Sequence, residues 1–269
     1  MITTPSVPDA LSGSFAPMPG SAPWRQKVLA HAGMELRLLL RNGEQLLLAL
    51  VIPLTLLFLL GGTGLGDRLP LGEGRTIDLV VPRVLALAVL SSSFTSLAIA
   101  TGFERRYGVI KRLGASPLSR TGLLAGKIGA VLAVQAVQIA VLATAGFALG
   151  WKPSGGFVAF LGVVVMVLCG TAAFASLGLL MAGLFRAEAT LAAANLLYLL
   201  LLVGGAVMTP VTEYPSGLQT LVKMLPSAAL SSGMSDATLA GVVPWPAALA
   251  LVLWSAVLGY VVSRTFRWD

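Results

Sequence analysis

Phe103-Glu104-Arg105-Arg106-Tyr107-Gly108-Val109-Ile110-Lys111-Arg112-Leu113-Gly114-Ala115-Ser116-Pro117 sets four basic residues and one acid between two long runs that carry no charge. A charged side chain at the bilayer centre costs about 2.5 to 3.5 kcal/mol on the insertion scale, so this segment is expected outside the hydrocarbon. Its Lys/Arg excess places it on the cytoplasmic face, where short loops carry the positive charge. The pattern predicts a surface helix of about three turns over Glu104 to Leu113, ended by Gly114 and Pro117 and hung between two spans. Thr121 suits the N-cap of the span that follows.

Outward from that segment, composition sets the class. With 57% apolar and 11% charged residues over 269 positions and a mean hydropathy of +0.89, the chain reads as an all-α polytopic membrane protein. A span needs about 20 mostly apolar residues. Six windows qualify: Gln45 to Leu65, Val84 to Phe103, Ile128 to Gly150, Gly156 to Phe185, Ala189 to Thr212 and Ala237 to Ser263, none with Asp, Glu, Lys, Arg or His. Six spans return both termini to one side. On that topology 13 basic and six acidic residues fall on one face, and five of each on the other, giving net charges of +7 and 0. The whole excess is thus cytoplasmic. A pI near 10.1 is accounted for by topology and anionic lipid, so nucleic acid is not expected as a partner.

Residues 1–23, rich in Pro, Ser and Ala, read as a disordered tail without the marks of a signal peptide. From Trp24 onward, Val28, Leu29, Ala32, Leu36, Leu39 and Leu40 share a helical face opposite Gln26, Lys27, Arg37 and Arg41. That fits an interfacial helix over 24–43; Met34, Leu38 and Arg25 interrupt the stripe, and a helix packed against protein is the alternative. Residues 24–269 then form one transmembrane domain. The single cysteine, Cys169, is expected to pack as a small apolar group, and His31, the only histidine, as a polar-face residue; no metal site is expected.

Catalytic patterns are absent: no His-Glu-x-x-His, no Gly-x-Ser-x-Gly, no intramembrane carboxylate pair. Gly122-Leu-Leu-Ala-Gly-Lys127-Ile has three residues where a phosphate-binding loop needs four, and lacks the Ser/Thr that holds magnesium. Gly122, Gly126 and Ala130 read instead as a small-residue packing face. The chain is not expected to hydrolyse ATP.

Glu104 through Lys127 resembles the intracellular segment of the type 2 ABC-exporter permeases. Leu50-Val-Ile-Pro53-Leu-Thr-Leu-Leu-Phe-Leu-Leu-Gly-Gly is similar to that family's first span, and Gly204 to Pro210 with Tyr214 to Pro226 resembles its external hairpin between spans five and six. Ser232-Gly233-Met234 departs from the family, in which many relatives carry an arginine there. The resemblance runs from Trp24 to the C-terminus. It implies a drug-efflux-like permease in a bacterial plasma membrane, in which two permeases (this chain with a second copy or a related one) join two ABC-type ATPase subunits. ATP and magnesium would sit on the ATPase, none on this chain, and the cargo would be an amphiphilic drug, a lipid or a glycan. An ion-coupled secondary transporter or a non-transport scaffold is the alternative, the former disfavoured because no window holds the ionisable relay such transporters use.

The candidate coupling residues are Glu104, Arg105, Arg106, Tyr107, Gly108, Lys111 and Arg112. Candidate path residues come from polar positions in the apolar windows: Ser92 and Ser96 in span two, Asn195 and Tyr198 in span five, the two spans that line the path in the family. Gln135 and Gln138 in span three, with Ser91 and Thr95, are further polar positions; interhelical hydrogen bonding is the alternative role for all of them.

Overall fold

The structure is a computed structural model that describes residues 22–41, 43–114 and 119–266; the expected tail lies almost wholly outside them, as does Pro117. Every regular element among the described residues is helical. Five helical runs are long and apolar enough to cross a bilayer: 76–106, 121–148, Phe157–Leu184, Ala187–Gly204 and Trp245–Thr265. The chain is therefore a multi-pass membrane protein. The first expected span falls on α2 (Gly43–Gly62), whose 20 residues rise about 30 Å at about 1.5 Å per residue and which is apolar over Ala49–Gly62.

Ahead of α2 stands α1 (Trp24–Arg41). Span two comprises α3 (Thr76–Leu90), a π-helical segment (Ser91–Ser96) and α4 (Leu97–Arg106), followed by the short α5 (Val109–Gly114). Then come α6 (Arg120–Ala148), α7 (Phe157–Leu184) and α8 (Ala187–Gly204). After α8 follow α9 (Ser216–Lys223), α10 (Pro226–Ser235), a π turn (Asp236–Ala240) and α11 (Trp245–Thr265).

These helices outrun the charge-free windows, and this corrects the expectation that no span holds an ionisable residue. Arg83 lies inside α3, Glu104 in the last turn of α4, and Lys127 two turns into α6. A window stops at the first charge. A helix does not, provided the charge finds a partner: Arg83, buried, donates Nη2 to Leu71 O at 2.6 Å.

Span two is the axis of the bundle, with 72% of its apolar window buried against 22 to 39% for the other four. Leu87, Leu90, Phe94 and Ala98 meet Met166, Ala173 and Phe174 of α7, Ala194 of α8, Leu230 of α10 and Leu251 of α11 in the main core. Helices in lipid gain nothing from hiding apolar surface from one another, so close approach by small residues carries the packing. Gly178 of α7 shows it, since a Cβ there would stand 2.8 Å from Phe94 O.

A further expectation, the start of the last span, is corrected at the end of the bundle that holds the α6–α7 loop. Within the stretch read as an external hairpin, Gly204 to Pro226, Tyr214 donates to Val203 O at 2.6 Å, and Ala206 and Val207 are buried. α10, which begins where that stretch ends, turns back into the bundle and is buried from Pro226 to Ser231 and again at Gly233 and Met234. The last span begins at Trp245 and not at Ala237, because Gly241 takes a left-handed φ of 64° and Pro244 then interrupts the ladder. Gly241 also meets Gly155 (φ 85°) backbone to backbone, so that a Cβ on either would overlap the other's Cα. Ser154 N donates to Thr238 O at 2.7 Å beside them, tying the α6–α7 loop to the approach to α11.

Candidate functional site

At the basic end of the bundle, span two runs to Arg106 and turns at Tyr107-Gly108, where Gly108 has φ 67°. The expected surface helix from Glu104 to Leu113 is thus corrected: Glu104, Arg105 and Arg106 belong to span two, and α5 is only six residues long. A left-handed residue ends an α-helix, and glycine takes that conformation without steric cost. Thr121 is likewise not the N-cap of α6; Ser119 is, its Oγ accepting from Gly122 N at 3.1 Å.

Three neighbouring side chains of α4 fix its last turn to three different partners. Arg105 Nη1 donates to Ala182 O at 2.7 Å and Gly183 O at 2.6 Å, satisfying carbonyls that the end of α7 leaves open. Arg106 pairs with Glu188 in the first turn of α8, an acid placed where a helix N-terminus favours it. Glu104 turns the other way, onto Lys127. That leaves Tyr107, 63% exposed and 5.9 Å beneath the Arg106 guanidinium, together with Lys111 and Arg112, as the outward face, while Ile110 is buried.

Lys127 is the centre of a buried ionic cluster. Its side chain is 2% exposed, and Nζ stands 2.8 Å from Glu35 Oε1 of α1 and 2.7 and 2.6 Å from Oε1 and Oε2 of Glu104. His31 Nε2 lies 3.5 Å from Glu35 Oε1, and burial lowers the His31 pKa, which Glu35 raises in part and Lys127 lowers further. His31 is therefore no polar-face residue facing solvent but a buried one. α1 is packed against α6. Trp24 donates to Ser119 Oγ at 3.3 Å, His31 lies on Gly126, and a Cβ at Gly129 would stand 3.7 Å from that of Ala32. The small-residue face expected on α6 at Gly126 is what receives α1. Leu29, Leu38 and Leu40, by contrast, are exposed.

Sequence reading passed over Glu35 and Lys127. Glu35 is not marked out within its own helix, and Lys127 lies one residue outside the window that begins at Ile128. The available signal was a lone lysine between glycine and small apolar residues, where a neighbouring backbone can come close.

The candidate path residues do not converge. Ser92 accepts from Gln135 Nε2 at 2.9 Å and donates to Ala88 O at 2.7 Å, while Gln135 Oε1 accepts from Thr171 at 2.7 Å. Spans two, three and four are thereby joined by buried side chains. Gln138 donates to Ala49 O at 2.6 Å, joining α6 to α2. Ser92 and Ser96 also line a narrow cleft of about 50 Å³ that reaches Glu35, Glu104 and Lys127. Asn195 points out of the bundle among exposed Leu191, Leu196 and Leu199, whereas Tyr198, three residues on, is half-buried against the main core. A larger apolar groove of about 550 Å³ opens between α6 and α7 and holds none of these candidates.

A family model described as ABC-2 family transporter protein matches residues 68–263, about three-quarters of the chain, and so leaves α1 and α2 outside the match. No curated protein matches the chain.

Proposed function

The chain belongs to the ABC-2 transporter family, and from that membership we propose that it is the permease of an ATP-driven exporter in a bacterial plasma membrane, moving an amphiphilic drug, a lipid or a glycan-type cargo outward. Two permeases, copies of this chain or related ones, flank the path, and separate ABC-type ATPase subunits bind ATP and magnesium. The observation that carries the reading is the face of Tyr107, Lys111 and Arg112 at α5, presented on a helix joined by a two-residue turn to the central span. A partner docked there has a short mechanical route into the core. The basic end then faces the cytoplasm, and the +7 excess supports that orientation.

The ionisable residues that the helices do hold fit this reading better than ion coupling. Lys127, Glu35 and Glu104 are gathered at the basic end, and Arg83 is held by a loop carbonyl towards the other, whereas ion-coupled carriers set such groups near the midplane. The path residues in this proposal are Asn195, facing the second permease, Tyr198 three residues on, and Ser92 and Ser96 by way of the cleft they line.

Purifying the tagged chain from its native membrane should recover an ABC-type ATPase in stoichiometric amount. Double charge reversal, Lys111→Glu with Arg112→Glu, should abolish that recovery while the chain still inserts. A chain isolated without any ATPase, or one whose ATPase stays bound after the reversal, would overturn the assignment.

A further inference from the structure

Lys127 holds two carboxylates from two elements at once. Glu35 is 92 positions and Glu104 23 positions away in sequence, so the ammonium joins α1, the end of span two and the start of span three at a single atom. Glu104 lies only four residues ahead of Gly108, beyond which α5 begins. Its neighbours Arg105 and Arg106 anchor the same turn of α4 to α7 and α8. Whatever displaces α5 therefore acts first on a turn that is already fixed to three helices, and through Lys127 on a fourth, α1.

Stability does not explain this arrangement. A buried ion pair is weak evidence for stability, because apolar residues of similar volume often serve as well or better. Here two acids surround one base, which is poorer still as a stabilising device. Glycines at 126 and 129 also weaken a helix interior, yet they let α1 settle onto α6 directly over Lys127. What a charged cluster supplies that apolar packing does not is a fixed relative position of the three elements.

We propose that Lys127 is a positioning residue for energy transfer: by gripping Glu35 and Glu104 together it makes α1, the end of span two and the start of span three move as one body. A push delivered at α5 then reaches the first and third spans together, α1 leading directly into α2. The inference rests on the exporter reading, since it needs an ATPase acting at α5.

The test uses the intact complex of the chain with its ATPase, in a Cys169→Ser background, with spin labels at Leu38→Cys on α1 and Val109→Cys on α5, both exposed. One narrow distance, the same with and without vanadate-trapped nucleotide, is expected. In the charge-free triple variant Glu35→Gln, Glu104→Gln, Lys127→Met, the distance should broaden and become nucleotide-dependent, while ATP hydrolysis continues. A disulfide between Ala32→Cys and Gly129→Cys, whose Cβ separation of 3.7 Å suits the bond, should restore the narrow distance in the triple variant. If the triple variant fails to assemble, the disulfide in the otherwise unaltered chain decides: unchanged turnover supports the inference and lost turnover overturns it. A nucleotide-dependent distance in the unaltered chain, or a triple variant that behaves like it, sinks this inference alone. Absence of any ATPase from the complex sinks the exporter reading as well.

Discussion

His31 is packed on Gly126 with Glu35 one turn away and Lys127 across the junction, so its imidazole stays neutral at a pH where an exposed one begins to protonate. Its folded value lies below the ordinary 6.5. A released α1 therefore binds a proton before the docked one does. Docking is at full strength above about pH 6.5 and weakens as pH falls from there through the lowered folded value. Trypsin cleavage after Arg25, Lys27 and Arg37 should accelerate between pH 7.5 and 5.5 when corrected for the enzyme's own profile, and His31→Gln should remove the acceleration. The same junction predicts a steric effect, because a Cβ at Gly126 would overlap the His31 ring and stand 3.3 Å from Ala32 N. Gly126→Val should loosen α1 by about 1 to 3 kcal/mol, the usual cost of overpacking, seen as faster cleavage at neutral pH. The packing face at Gly126 was legible beforehand, because small residues spaced four apart let a backbone come close; the inward turn of His31 was not. One helix's periodicity shows which of its residues share a side, but not which side meets protein, and here the polar residues His31 and Glu35 face inward while Leu29 faces out.

Between elements, hydroxyls and amides fall into two groups that the sequence presented as one. Ser92, Gln135 and Thr171 satisfy one another inside the bundle, so Gln135→Leu should lower the melting temperature of the solubilised chain by an amount equivalent to about 0.6 kcal/mol, and no more than about 2. Asn195 has no such neighbour to lose, since it points out of the bundle beside exposed leucines. Asn195→Leu should leave that melting temperature unchanged and instead weaken pairing of two permeases, read as reduced cross-linking between copies carrying a cysteine at Leu199. A lower melting temperature for Asn195→Leu would return Asn195 to the packing group. The middles of the spans were legible because about 20 apolar residues have no other stable setting. Their ends were not. Glu104 and Lys127 neutralise each other across 23 positions, and no reading along one segment sees a partner that far away.

For the molecule as a whole, Arg105, Arg106, Lys111, Lys127 and Arg186 gather at the end where α4, α6, α7 and α8 meet, and Arg75, Asp78, Arg83 and Lys152 lie at the other. An impermeant maleimide applied to intact cells should label Ser216→Cys on exposed α9 and spare Lys111→Cys on α5, in a Cys169→Ser background; the reverse pattern would invert the topology. What composition could not reveal was the return of α10 into the bundle, because Pro226-Ser-Ala-Ala-Leu-Ser-Ser-Gly-Met-Ser235 is too short and too small-sided to look like anything but loop. Gly155 and Gly241 carry a last consequence. With each occupying the space that the other's side chain would need, neither loop is free to drift alone during descent. A chimera that takes one of these loops from a related permease should therefore fail to mature, whereas one that takes both should pass.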